Sequence, residues 1–265
     1  MEKELTFWDH LDELRKILFR IVIVVVVVMV IVFLSKEILF NVILAPQKSD
    51  FITYRFFCYL SKLLSMPAVC PDDFRVELIN TQLPSQFMIH MSVAFYVGIL
   101  LVFPYILYQI YRFVSPALYE NERKYSARVI IYSSLLFFAG VLLNYFLIFP
   151  LSFRFLSTYQ VSEEVTNMIN ISSYIDTLMF LSLMMGIMAE LPVISWLFAK
   201  LGFVSASFMK KYRRHAIVLI LIIAAIITPT TDIFTLMLVF VPIYVLYEFS
   251  IWIVKGAKKT EQQPE

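Results

Sequence analysis

Three glutamates lie where a carboxylate is either exposed to cations or costly to bury. Glu13 lies in a charged segment that runs into an apolar tract, Glu122 lies in a short charged loop, and Glu190 lies inside an apolar run. A carboxylate beside such a run can bind cations from water. One inside hydrocarbon costs roughly 2.5–3.5 kcal/mol, so it is protonated, paired or facing a wet cavity.

The residues alone leave two roles open for Glu13 and Glu122. Both can bind an incoming cationic group, or both can form salt bridges with the basic residues beside them. Those basic residues are Arg15, Lys16, Arg123 and Lys124. Glu190 is likewise either a functional intramembrane carboxylate or a neutral acid that hydrogen-bonds a neighbouring helix.

Three further polar or helix-breaking positions are candidates. Pro192 frees a backbone carbonyl near Glu190, and Asp232 precedes Ile233 where a helix cap is expected. Glu248 lies toward the end of the last apolar run, with structural and functional roles both open. No spacing typical of a metal site, a phosphate loop or a catalytic triad is present. Nucleic-acid binding is not expected either, because the basic residues are spread over separate loops.

The composition is that of a membrane protein. Hydrophobic residues make up 60% of the chain and charged residues 16%, and the mean hydropathy is +0.80. Because backbone groups inside lipid must bond to each other, continuous apolar runs predict helices. We expect an all-α, polytopic fold with six transmembrane helices, the last two of them short. The predicted spans are Ile17–Leu34, Phe87–Tyr111, Val129–Phe149, Thr177–Phe198, Ala216–Ile227 and Ile233–Val254.

The first and fifth spans carry more specific expectations. Before the first span, Phe7, Leu11, Leu14 and Leu18 recur at helical spacing. This stripe predicts an amphipathic surface helix, with Thr6 as its N-cap, that bends into the spanning helix. The fifth span has about a dozen apolar residues, or roughly 18 Å of helix.

The basic residues predict the orientation. Sixteen of the 22 Lys and Arg residues flank one set of span ends and six flank the other. The positive-inside rule therefore predicts that both termini are cytoplasmic. We expect a single integral membrane domain over 1–265, with a cytoplasmic amphipathic N-terminus at 1–16 and a cytoplasmic tail at 255–265.

Two outer loops are predicted, at 35–86 and 150–176. The first is rich in aromatic residues between Phe51 and Leu60, which indicates a short amphipathic helix at the outer interface. It also holds Cys58 and Cys70, which are either a disulfide in an oxidising compartment or two buried thiols.

Four segments together resemble a known family. They are His10-Leu11-Asp12-Glu13-Leu14-Arg15; Phe113-Val114-Ser115-Pro116-Ala117-Leu118-Tyr119 through Glu122-Arg123; Gly186 with Glu190-Leu191-Pro192; and Thr228-Pro229 with Asp232. In order and spacing they resemble TatC, the polytopic subunit of the twin-arginine protein translocase. The aromatic outer loop with its two cysteines is the clearest departure from the family pattern.

The resemblance implies a non-enzymatic receptor in the bacterial inner membrane for folded cargo whose N-terminal signal carries paired arginines. It implies TatA- and TatB-like single-span partners, a homo-oligomer within the receptor complex, transport driven by the proton gradient, and no cofactor. It assigns signal-peptide binding to one set of residues and intramembrane polar or partner-helix contacts to another. The first set is His10, Glu13, Leu14, Arg15, Phe113, Pro116 and Glu122; the second is Glu190, Pro192, Asp232 and Glu248.

The main alternative is a proton-coupled secondary transporter of a small solute, with Glu190 as the coupling acid. That reading needs inverted repeats around a broken helix, and the sequence contains no convincing internal repeat. An intramembrane hydrolase lacks a plausible nucleophile and base.

Overall fold

The structure is a computed structural model and describes residues 7–63, 76–114, 126–160, 162, 167–228 and 232–261. In this part of the chain, helices form nearly all of the regular structure. They are α1 Phe7–Leu34, α2 Lys36–Ile43, α3 Ile52–Leu63, α4 Ser85–Val114, α5 Ser126–Leu143, α6 Phe149–Thr158, α7 Ile171–Met188, α8 Leu191–Lys200, α9 Ala206–Lys211, α10 Arg213–Ile227 and α11 Ile233–Glu261. Two short strands, β1 Leu78–Ile79 and β2 Ile169–Asn170, pair in parallel.

Five helical stretches of the described residues are long and apolar enough to cross a membrane. They are Leu11–Leu34, Ser85–Phe113, Val129–Thr158, Ile171–Lys200 and Ile233–Gly256. The predicted fifth span is present as α10, which starts three residues earlier than predicted and has 15 residues. At about 1.5 Å per residue, α10 is about 22 Å long, which is less than the roughly 30 Å hydrocarbon core.

The prediction of a short last helix was wrong. Helix α11 has 29 residues, and it continues past the apolar part of the sequence through Lys255 and Gly256. The residues that follow include Ala257, Lys258 and Lys259, and alanine and lysine favour helix even where no apolar face is left.

The predicted bend after a separate surface helix is also not found, since α1 is one continuous helix from Phe7 to Leu34. Neither proline nor glycine occurs in this stretch, and these are the usual causes of a sharp kink. Thr6, the predicted N-cap, lies outside the described residues.

The second outer loop is much shorter than predicted, because helix continues at both of its ends. Pro150 lies in the first turn of α6, where a missing backbone N–H has no cost. At the other end the Asn170 side chain caps α7 by accepting a hydrogen bond of 2.9 Å from the Ser172 N–H. Between α5 and α6 the residues Asn144–Ile148 form one π-helical segment.

The described residues fall into two compact units. One holds those within 7–39 and 86–135, and the other holds those within 40–85 and 136–261. In the first unit, the Phe33 ring stacks on His90 with centroids 4.0 Å apart and meets Phe87 edge-on at 6.4 Å. A Cβ placed on Gly98 would lie 3.4 Å from the Met29 backbone, which is ordinary contact. Helices α1 and α4 therefore pack along each other.

In the second unit the first of the two predicted loops is held against the third and fourth spans. The helix predicted in this loop is present as α3, where the buried Tyr54 hydroxyl lies 3.1 Å from the Pro46 carbonyl and 3.0 Å from that of Pro150. Burial raises the pKa of Tyr54, although nearby Arg154 opposes the shift, so the phenol stays a neutral hydrogen-bond donor. The Tyr174 hydroxyl donates to the Ile43 carbonyl at 2.9 Å.

The disulfide alternative is the one that the structure supports. Cys58, on α3, is disulfide-bonded, and Cys70 is the other of the two cysteines in the sequence. Cys70 itself lies outside the described residues. A disulfide in this loop is consistent with an oxidising outer compartment.

Candidate functional site

Glu13 continues the packed face of α1. Ile17, Val25 and Val32 on this helix are buried, with exposures of 5%, 8% and 7%. Glu13 lies one turn before Ile17 on the same face, and its side chain is partly buried. The carboxylate therefore lies where the packed face of α1 reaches the N-terminal end of the helix.

The apolar stripe predicted before the first span lies on the exposed side of α1. Leu11, Leu14 and Leu18 expose 42%, 44% and 61% of their surface. Both sides of a membrane helix are apolar, so hydrophobic spacing does not distinguish the protein-facing side from the lipid-facing side. Leu14, a predicted signal-binding residue, is therefore accessible to a ligand or to lipid on the unpacked side of α1.

The neighbouring basic residues of α1 do not neutralise Glu13. Within the described part of the chain, Glu13 forms no ion pair with Arg15 or Lys16. Arg15 instead places its guanidinium 5.7 Å from the centre of the Phe19 ring. Since positions two apart on a helix face different directions, Glu13 and Arg15 cannot meet easily. The sequence left two roles open for Glu13, which were binding of an incoming cation and a salt bridge to a neighbouring basic residue. The absence of a pair with Arg15 or Lys16 argues against the salt bridge.

Helices α1 and α4 run antiparallel, which places Glu13 level with the end of α4. Met29 and Gly98 are in contact, and Phe33 contacts His90 earlier on α4. From Met29 back to Glu13 is about 24 Å along the axis, and from Gly98 forward to Phe113 is about 22 Å. Glu13 and the partly exposed Phe113 therefore lie at the same end of the helix pair.

The rest of the predicted signal-binding set lies beyond what is described. Helix α4 ends at Val114, and the described part of the chain resumes at Ser126. Pro116 and Glu122 lie outside the described residues. His10 lies in α1, but its side chain is not among those described.

Glu190 lies at a break in the fourth span. It separates α7 from α8, its side chain is 5% exposed, and its N–H donates to the Ile187 carbonyl at 3.1 Å. Its own carbonyl accepts from the Ile194 N–H at 3.0 Å, and Pro192 lies in the first turn of α8. The predicted single helix is thus two segments. The break occurs here because Pro192 cannot donate to a carbonyl one turn earlier.

Two glycines bring the third and fourth spans together just before Glu190. A Cβ on Gly140 would lie 2.5 Å from the Met185 carbonyl oxygen and 2.8 Å from the Ala189 Cβ. A Cβ on Gly186 would lie 2.6 Å from the Phe137 ring. Small residues at such crossings let membrane helices approach closely. Gly140 was not singled out from the sequence, although a lone glycine inside an apolar run is a signal for this packing.

Glu248 is paired within the chain. Its Oε2 lies 2.7 Å from Nη2 of Arg213, and its Oε1 accepts from the Tyr244 hydroxyl at 3.0 Å. Arg213 begins α10 and Glu248 lies on α11, so the pair joins these two helices. This supports the structural alternative for Glu248. The sequence did not suggest Arg213 as the partner, because the two residues are 35 positions apart.

The predicted capping role of Asp232 is confirmed. Its Oδ1 accepts from the Thr235 N–H at 2.7 Å, and its carbonyl accepts from the Leu236 N–H at 3.1 Å. These bonds satisfy donors at the start of α11. Among the described residues, no three His, Cys, Asp or Glu side chains are grouped so that they could hold a metal ion.

Comparison with known proteins identifies one family. The family model described as TatC, Sec-independent protein translocase protein, matches residues 9–242. The chain is 38% identical over 255 residues to the Sec-independent protein translocase protein TatC of Blattabacterium sp. subsp. Periplaneta americana (strain BPLAN), covering 95% of this chain and 96% of that protein. It is 33% identical to the TatC protein of Deinococcus radiodurans, over 92% of this chain and 83% of that one.

Two solved structures are also similar along almost their whole length. A crystal structure of the twin arginine translocase receptor TatC superposes with a TM-score of 0.73 at 30% identity, covering 94% of this chain and 99% of that chain. A second, in the detergent DDM, gives a TM-score of 0.75 at 28% identity, covering 92% and 99%. The similarity therefore extends to both units of the chain.

Proposed function

The chain belongs to the TatC family of Sec-independent protein translocase proteins, and from that membership we propose that it is the receptor for twin-arginine signal peptides. Its relatives are described as Sec-independent protein translocase proteins, and the similar solved structures as twin-arginine translocase receptors. Nothing among these relatives supports the alternative of a small-solute transporter.

The observation that carries the proposal is the position of Glu13. It lies on the packed face of α1 at the end of the helix pair where α4 carries Phe113 in its last turn. Glu122, which follows α4 in the sequence, is expected on the same side of the membrane. The two carboxylates would then match two guanidinium groups, because each carboxylate can accept two parallel N–H bonds from one arginine. The apolar part of a signal can then lie along the exposed side of α1.

The orientation and partners follow from the same proposal. With 16 of its 22 basic residues at one set of span ends, the chain has that side and both termini in the cytoplasm, with α10 as the fifth of six spans. A twin-arginine signal then reaches Glu13 without crossing the bilayer. The remaining machinery consists of TatA- and TatB-like single-span proteins and further copies of this chain in the inner membrane, with the proton gradient as the energy source.

Site-specific photocrosslinking tests the receptor role. A photoreactive amino acid at position 14, next to Glu13 and exposed, leaves both glutamates in place and should crosslink to a twin-arginine signal peptide. Mutating both signal arginines to lysine should reduce the yield about tenfold or more, because lysine cannot bind bidentately. Glu37, in α2 beyond the far end of α1, is the control position and should give no crosslink. Equal yields from positions 14 and 37, or equal yields with the twin-lysine signal, would overturn the proposal.

For Glu190 the proposal is a role in association with a single-span partner. Because its side chain is 5% exposed, we expect it to act by shaping the α7–α8 break rather than by touching the partner directly. Glu190→Ala should reduce copurification of the partner and also lower thermal stability, while Glu190→Gln, which keeps the shape and a hydrogen-bonding group, should preserve both. If Glu190→Ala loses the partner while its thermal stability is unchanged, Glu190 contacts the partner directly. If Glu190→Ala copurifies the partner as well as the wild type does, Glu190 has no role in association.

A further inference from the structure

The second unit contains a cavity that the proposed receptor site does not use. Its volume is about 290 Å³, and its walls come from α6, β2, α7 and the first turn of α11. It lies at the end of the unit opposite to the Arg213–Glu248 pair, since it is lined by the start of α7 and the start of α11.

One wall of the cavity is aromatic and already assembled. Phe149 and Phe153 stack with centroids 5.9 Å apart, and each meets Tyr174 edge-on at 5.0 Å. All three rings are buried, with exposures between 2% and 7%. The Tyr174 hydroxyl is held by the Ile43 carbonyl. This wall therefore offers a fixed apolar surface to an occupant.

The lining also carries two buried hydroxyls that have no hydrogen-bond partner among the described residues. Ser152 and Thr235 are 2% and 1% exposed, and neither hydroxyl oxygen has a hydrogen-bond partner among the described residues. The buried hydroxyls of Ser182 and Ser250, by comparison, are satisfied within their own helices, by the Leu178 and Leu246 carbonyls at 2.7 Å each. Leaving a buried hydroxyl unpaired costs about 1–3 kcal/mol, so both oxygens are suited to an occupant that forms hydrogen bonds.

The lining also determines the charge and size of that occupant. None of the described residues that line the cavity is charged, which favours a neutral molecule over an ion. A dry cavity of about 150 Å³ holds benzene, so one of twice that volume has room for a single ring with a polar substituent. We propose that the cavity binds a small neutral molecule with an apolar body and one hydroxyl or amide group, which bonds to Ser152 and Thr235.

Cysteine protection tests this site in the detergent-solubilised full chain. Ser152→Cys and Thr235→Cys are small changes, and each thiol should react with methyl methanethiosulfonate, measured by intact-protein mass spectrometry. The native Cys58 is disulfide-bonded and adds no background. Benzyl alcohol should slow both reactions at least fivefold, and toluene, which has the ring but no hydroxyl, should slow them less than twofold.

Val239→Cys is the matched control, since Val239 lies one turn beyond Thr235 on α11 and is 0% exposed but does not line the cavity. Its thiol should stay unmodified over the same time, with or without benzyl alcohol. Reaction at positions 152 and 235 without protection would show a cavity that holds only water and would overturn the proposal. Absence of reaction at both positions, or equal reaction at position 239, would overturn it as well.

Discussion

Glu13→Ala should weaken binding of a twin-arginine signal peptide by about 10- to 100-fold while the protein still inserts and folds. A hydrogen bond to a charged group contributes about 1.5–3 kcal/mol, and each 1.4 kcal/mol is a factor of ten in affinity. The side chain is only partly buried and has no ion pair within the described part of the chain, so its removal leaves no uncompensated charge there. Fluorescence anisotropy of a labelled signal peptide on the purified protein in nanodiscs measures the change.

Asp12→Ala is the matched control for this prediction. Asp12 is the adjacent acidic residue of α1, but it is exposed and points away from the packed face that holds Glu13. Its removal takes away the same unit of charge at almost the same distance from the membrane. We therefore expect less than a threefold loss of affinity for Asp12→Ala. Equal losses in the two variants would mean that general surface charge attracts the signal, and no loss for Glu13→Ala would exclude Glu13 from the site.

Gly140→Ala should destabilise the protein by about 3 kcal/mol, at the upper end of what overpacking normally costs. The added Cβ would lie 2.5 Å from a backbone oxygen of Met185, which cannot rotate away as a side chain would. The third and fourth spans must then separate next to Glu190. For a chain of this size the melting temperature in detergent should fall by about 6–12 °C, measured by nanoscale fluorimetry.

Gly98→Ala provides the comparison, since it makes the same substitution within another membrane helix. A Cβ there meets the Met29 backbone at 3.4 Å, which is normal contact, and alanine favours helix over glycine by about 1 kcal/mol. The melting temperature of this variant should stay the same or rise. A fall as large as that of Gly140→Ala would show that loss of any membrane glycine is harmful, and that the contact at Met185 has no special role.

The positions of the spans could be predicted from the sequence because each span is determined by its own residues. An apolar run of sufficient length partitions into lipid and forms a helix whatever its neighbours are. The cap at Asp232 and the helix in the first outer loop were predictable for the same reason, since each depends on residues within one or two turns. The family pattern, spread over four such local segments, was equally visible.

The lengths of the helices were less predictable at their polar ends. The boundary at Phe149 was placed where hydrophobicity falls, yet the helix continues to Thr158 because Asn144–Ile148 and α6 pack against the fourth span and the outer loop. The break of the fourth span at Glu190 could not be predicted from the sequence either. Pro192 indicated a lost hydrogen bond, but whether the span kinks or divides depends on the packing around Met185 and Ala189.

The amino-acid pattern is enough to identify a helical membrane protein, to locate most of its spans and to find the acidic residues that flank or interrupt them. The folded structure was needed to show which side of α1 packs, that Glu13 is level with Phe113, and that Glu248 pairs with Arg213. These contacts could not be predicted because lipid is as apolar as a protein core. Hydrophobicity therefore assigns a segment to the membrane but carries no information on which face meets another helix, and that choice is made by close packing and by polar contacts between residues distant in the chain.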